Sequence, residues 1–141
     1  MSIEQGQTIS FKEDILQGVQ NLLTDTLKMA LYTAYATLGP ETTEYTAVEE
    51  ITGTGYVAGG ETITGVTINS DTSSGVVYVN FDNVSWAGAS FIARGALIYN
   101  SSKSNKSVAV LDFGSDKTFS STSNTVTLPA NTATTALLRF V

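Results

Sequence analysis

Four carboxylates, Glu41, Glu44, Glu49 and Glu50, fall within ten residues of a chain that is otherwise poor in charge. A pair of such acids is what glycosidic cleavage requires, one to protonate the leaving oxygen and the other to attack or to activate water. Sugar sites also carry an aromatic platform, and the only tryptophan, Trp86, stands well outside this cluster. The acids therefore read as a solvated loop, and the chain as a non-enzymatic one.

Two other stretches invite a ligand. Gly53-Thr-Gly-Tyr-Val-Ala-Gly-Gly has the glycine content of a phosphate cradle, yet it lacks the Lys followed by Ser or Thr that opens a helix in such loops. Its glycines read as turn residues. Asn69-Ser-Asp-Thr-Ser-Ser-Gly is oxygen-rich enough to suggest calcium, but it offers a single carboxylate where a tight site gathers several. No catalytic residue, metal or cofactor is expected.

The composition excludes more. The chain has no His and no Cys, which removes imidazole-based nucleophile triads, His or Cys metal sites, thiol chemistry and disulfides. Charged residues make up 14% of its 141 residues, against about 25% in ordinary soluble domains. Ser and Thr supply about a quarter of the chain. The net charge of −6 is uneven: nine acids against Lys12 and Lys28 up to Glu61, then four acids against five bases. No basic patch interleaved with aromatics is present, so nucleic-acid binding is not expected. The first residues lack the basic and apolar regions of a signal peptide, and no apolar run approaches a membrane span, so no membrane partner is expected.

The element that must position everything else is the stretch from Trp86 to Phe113. Two apolar runs, Phe91 to Tyr99 and Ser107 to Phe113, flank a polar turn around Lys103, as in a β-hairpin. Folding about Lys103 sets Ile98 opposite Val108, Ala96 opposite Val110 and Arg94 opposite Asp112, a cross-strand ion pair. Both faces are then apolar, so the hairpin must be covered on both sides. Trp86 reads as core or interface rather than as a ligand platform.

Around this hairpin, Ser10 and Glu13 form a capping box for one short amphipathic helix over 11–23, loosened at Gly18. Leu27, Met29 and Leu31 alternate as a strand. Residues 35–55 read as a long exposed excursion with at most short strands. Further strands are expected at 61–69, 75–81, 124–128 and 134–141. The pattern predicts a mainly β chain, one antiparallel β-sandwich or jelly-roll-like domain over 26–141 with a short N-terminal helix and a free arm over 1–10.

Phe11-Lys12 through Gly18, Asp25 to Thr33, Gly53 to Gly60, Trp86, Ala93-Arg-Gly-Ala-Leu-Ile-Tyr-Asn100 and Ala109-Val-Leu-Asp-Phe-Gly114 resemble small virion structural proteins of tailed bacteriophages, in order and over nearly the whole chain. The resemblance implies a capsid decoration, or cement, protein. Such a protein is made in the host bacterial cytoplasm, sits on the capsid exterior, bridges major capsid protein subunits and is often a homotrimer. Its contact residues would be apolar ones of the arm: Met1, Ile3 and Ile9. A tail, neck or fibre component involved in host attachment is the main alternative, and a small carbohydrate-binding module with exposed aromatics on one face is a third.

Overall fold

The computed structural model describes residues 2–140, so Met1 of the expected interface and Val141 of the last strand lie outside the described residues. The elements in chain order are β1 (Gly6–Gln7), α1 (Ile9–Leu16), β2 (Leu27–Tyr32), β3 (Glu61–Thr62), β4 (Thr67–Asp71), β5 (Val76–Asn80), β6 (Val84–Ser85), β7 (Phe91–Asn100), β8 (Lys106–Phe119), β9 (Thr125–Val126) and β10 (Leu138–Phe140). Among the described residues the fold is mainly β, with antiparallel sheets and one short helix. The sheets run β1-β8-β7-β2-β3, β10-β5-β4 and β6-β9. No described helix is long and apolar enough to cross a membrane.

The central β7–β8 hairpin is covered on both faces, for the reason its sequence gives. Leu27, Met29, Leu31, Ala96, Ile98 and Leu111 join one large apolar cluster with residues of the two smaller sheets, among them Val79, Trp86, Val126 and Leu138, and with Phe11 of α1. Ala30, Tyr32, Leu97, Tyr99 and Val110 point the other way. They meet Ile3 of the N-terminal segment and Ala36, Leu38 and Tyr45 of the 35–55 excursion. Two sheets thus close one face in sandwich fashion, and irregular chain closes the other.

The expected hairpin register holds only beside the turn, where Asn100 faces Lys106 and Tyr99 faces Ser107. It then slips by one residue: Ile98 faces Ala109, Leu97 faces Val110 and Gly95 faces Asp112. The slip occurs at Val108, and it lets Val108 and Ala109 both enter the large cluster, which strict alternation would forbid. A larger irregularity follows, since Ala93 faces Lys117. Phe113 to Asp116 therefore form a bulge, with Phe113 still packed on the large cluster and Gly114 at φ +79°.

Two expectations near the N-terminus are corrected. The helix starts at Ile9, capped by Thr8, whose Oγ1 accepts the Phe11 N–H at 3.2 Å. Thr8 is fully buried and its hydroxyl also meets Ser107 Oγ at 2.9 Å, so tertiary contacts choose the cap over Ser10. The helix ends at Leu16 because Gly18, at φ +71°, turns the chain. Val19 N–H then reaches Asp14 O at 2.8 Å, and Gly18 N–H reaches Ile15 O at 3.2 Å, the paired bonds of a Schellman stop.

The free arm is the second correction, because residues 2–8 are woven into the domain. Ile3 bridges Leu38 in parallel, and Glu4 N–H and Leu38 N–H bond to Leu38 O and Ser2 O at 2.9 and 3.0 Å. Gly6 and Gln7 then pair with Val110 and Ala109. Gly95 makes this docking possible. A Cβ there would stand 2.8 Å from Ile3 Cδ1 and 2.7 Å from Leu111 O.

Candidate functional site

The four clustered acids do not act together. Glu41, Glu44 and Glu49 are exposed, whereas Glu50 is buried, 9% exposed. Its backbone bridges Tyr32 at the end of β2, which carries the carboxylate onto the second face of the sheet. There Tyr45 OH donates to Oε1 at 2.5 Å, and Tyr56 OH and Gly59 N–H donate to Oε2 at 2.5 and 2.8 Å. Tyr99 OH donates to Gly59 O at 2.6 Å, and Tyr32 OH to Thr46 O at 2.6 Å.

This cage explains the excursion. One carboxylate ties Tyr45 to Tyr56 and Gly59, and its three bonds are charge-assisted. The tyrosines record the environment: burial pushes the Tyr32 phenol far above its ordinary range, and the Glu50 charge adds to it. Burial and the bond to Glu50 do the same to Tyr45 and Tyr56. Burial, with Glu50, also raises Tyr99. Two glycines of 53–60 allow close backbone approach, since a Cβ on Gly60 would stand 1.8 Å from Met29 O and one on Gly55 2.5 Å from Gly88 O.

Arg94 and Asp112 do meet, though not as directly opposed residues. Because the bulge folds back over Arg94, its Nε lies 3.8 Å from Asp112 Oδ1 and its Nη1 lies 3.9 Å from Asp116 Oδ1. Asp116 was not anticipated, since only the bulge brings it there. These are loose ion pairs with side chains 36%, 34% and 61% exposed, of the kind worth at most about 1 kcal/mol. Arg94 and Asp112 line a small hollow of about 240 Å³ with Ser2, Ile3 and Ala34.

Trp86 is fully buried, edge-on to Phe119 at 5.9 Å, and Phe119 stacks on Phe91 at 4.8 Å. It belongs to the core. Ile3 is half-buried against Leu38, while Ile9 is 50% exposed and borders a hollow of about 670 Å³ with Leu38, Pro40 and Glu41. Ile3 is thus turned inward onto Leu38, and Ile9 stays open to solvent beside it. In the 69–75 turn, the Asp71 carboxylate accepts from Ser73 N–H, Ser73 Oγ and Ser74 Oγ at 2.7 to 3.0 Å, and these bonds hold it below the ordinary range.

A buried polar network at the turn end of the hairpin gave no sequence signal. Asn100 Nδ2 donates to Gln20 Oε1 at 3.0 Å and to Asp25 Oδ2 at 2.8 Å, and Lys103 Nζ stands 3.8 Å from Asp25 Oδ1. Burial alone would push the Asp25 carboxyl up. The Asn100 bond, the Asn21 N–H and the Lys103 charge outweigh it and hold the carboxyl down. Comparison with known proteins adds no family: no family description, curated protein or solved structure matches the chain.

Proposed function

We propose that this chain is a non-enzymatic structural protein of a tailed-phage virion that attaches to the capsid exterior and strengthens it by bridging major capsid subunits. The observation that carries the reading is how the polar groups are used. Glu50 is enclosed by its tyrosines, Arg94 sits between two carboxylates, and Trp86 lies in the core. Large apolar side chains stand open on the surface: Leu16 is 88% exposed, Val57 73%, Val48 72% and Tyr35 66%. Tyr35 and Val48 lie in turns held side by side by the Thr33 and Glu49 bonds, N–H to O at 2.9 Å and Oγ1 to Oε2 at 2.8 Å.

Such a surface binds through contact area rather than chemistry. A rigid domain touching several subunits of a lattice gains from the high effective concentration of each further contact. The test is to incubate the purified protein with undecorated capsids and count bound copies per particle. Saturation in proportion to the number of capsid subunits supports the reading. Binding to tails, necks or host cells with none on capsids replaces it with the attachment alternative.

A further inference from the structure

The sheet edges are not all treated alike. β1 and β3, which end the five-stranded sheet, are two residues long, as are β6 and β9. Where β8 runs beyond β1, Gln5 Oε1 takes the Asp112 N–H at 3.1 Å and the strand bulges away. Where β7 runs beyond β2, Thr54 bridges Ser90. At β10 the Gln7 amide donates to Arg139 O at 3.0 Å. Shortening, bulging and covering are the means by which proteins stop an edge from recruiting another chain.

β4 has none of them. Its five residues pair with β5 without a break, from Thr67 opposite Asn80 to Asp71 opposite Val76. It contains no Pro, Lys or Arg, and among the described residues its only strand neighbour is β5. The one charge, Asp71, is turned into the adjoining loop by Ser73 and Ser74. Ile68, 49% exposed, and Val77, 38% exposed, lie on one face of this pair, since Ile68 faces Val79 and Val77 precedes Val79 by two.

We propose that β4 is a self-association site, pairing antiparallel about Asn69 with β4 of a second copy so that the two small sheets become one. The occupant follows from the strand's own complementarity. This register sets Asn69 opposite Asn69, Ile68 opposite Ser70 and Thr67 opposite Asp71, keeping the two Asp71 carboxylates at opposite ends. Centring the pair on Asp71 would instead set like charges face to face. The small Ser70 leaves Ile68 of the second copy room to lean toward Val77. Antiparallel edge pairing is isologous and closes as a twofold dimer, in place of the threefold assembly the resemblance implies.

The test needs three proteins. Sedimentation equilibrium of the wild type is expected to give a dimer. Ile68→Lys, at an exposed position, should keep the circular dichroism spectrum while weakening dimerisation at least about tenfold. Since the chain has no cysteine, Asn69→Cys would provide a single thiol. Directly opposed strand residues stand about 4.5–5.5 Å apart between Cα atoms, within disulfide reach. Asn69→Cys should oxidise to a covalent dimer much faster than Asp71→Cys, whose thiols the register keeps apart. A wild type that is monomeric or trimeric at high concentration, an unweakened Ile68→Lys dimer, or equal cross-linking of the two cysteine variants would overturn the proposal.

Discussion

The two faces of the five-stranded sheet are closed by different means. On one, Met29, Leu31, Ala96 and Ile98 meet strands and a helix whose own apolar residues recur at regular spacing. On the other, Tyr32, Leu97 and Tyr99 meet Ile3 of the N-terminal segment and Ala36, Leu38 and Tyr45 of the excursion, in segments that hold hardly any regular structure, while Ile51 and Tyr56 further along turn onto the first cluster. Regular elements satisfy their own backbone and can rest on apolar contact alone. Irregular chain must find partners for its polar groups, so the second face carries the Glu50 cage and the Ile3–Leu38 ladder. The lesson is that an acidic, glycine-rich excursion can be a lid on a core, with one buried carboxylate as its fastening.

That contrast can be broken from either side. Trp86→Ala empties the largest side chain of the apolar face and should cost about 3–5 kcal/mol, read as a global loss in denaturant midpoint. Glu50→Ala should cost about 3 kcal/mol, because it leaves Tyr45 OH, Tyr56 OH and Gly59 N–H without their acceptor. Its signature differs, since the excursion should loosen before the sheet does. Deleting residues 1–8 removes the Thr8 cap, β1 and the Ile3 contact. It should lower stability by about 2 kcal/mol or more, where a free arm would leave the melting temperature unchanged.

The pH response sharpens the same distinction. The surroundings of Glu50 hold Tyr32, Tyr45, Tyr56 and Tyr99 neutral above the ordinary value of 10.0. Their contribution is full below pH 10.0 and is lost as pH climbs toward the raised folded values. In a spectrophotometric titration these four phenols should ionise together with unfolding. Asp25 acts at the other end: its depressed carboxyl stabilises above 3.8, and that contribution disappears as pH falls through the lower folded value. Asp25→Asn should flatten the acid limb of the stability profile. The smallest effect belongs to Arg94→Leu, under about 1 kcal/mol, since its two ion pairs are loose and half-exposed.

The regular half of this architecture was legible in the sequence, and the irregular half was not. Alternation at 27–31 and 76–80 and the paired apolar runs of the hairpin located β2, β5, β7 and β8, and the need for cover on both sides followed from them. The slip at Val108 was invisible, because it depends on what the two faces must bury rather than on the turn. β1 and β6, two residues each, exist only through their partners. Glu50 looked like its three acidic neighbours, because Tyr32, Tyr45, Tyr56 and Tyr99 share no spacing that would announce a common acceptor. Arg94 and Asp112 meet as expected, though through a bulge that their assumed register left out.

The central claim is that residues 35–60 are a lid fastened by Glu50, and amide hydrogen exchange in the wild type and in Glu50→Ala tests it most directly. The wild type should protect amides such as Leu38, Tyr45, Ile51 and Gly59, which donate to Ser2, Asn105, Leu31 and the Glu50 carboxylate. Glu50→Ala should lose that protection across the excursion by at least about tenfold while β7 and β8 keep theirs. Wild-type amides over 35–60 that exchange as fast as unstructured chain, or a variant with an unchanged pattern, would contradict the account.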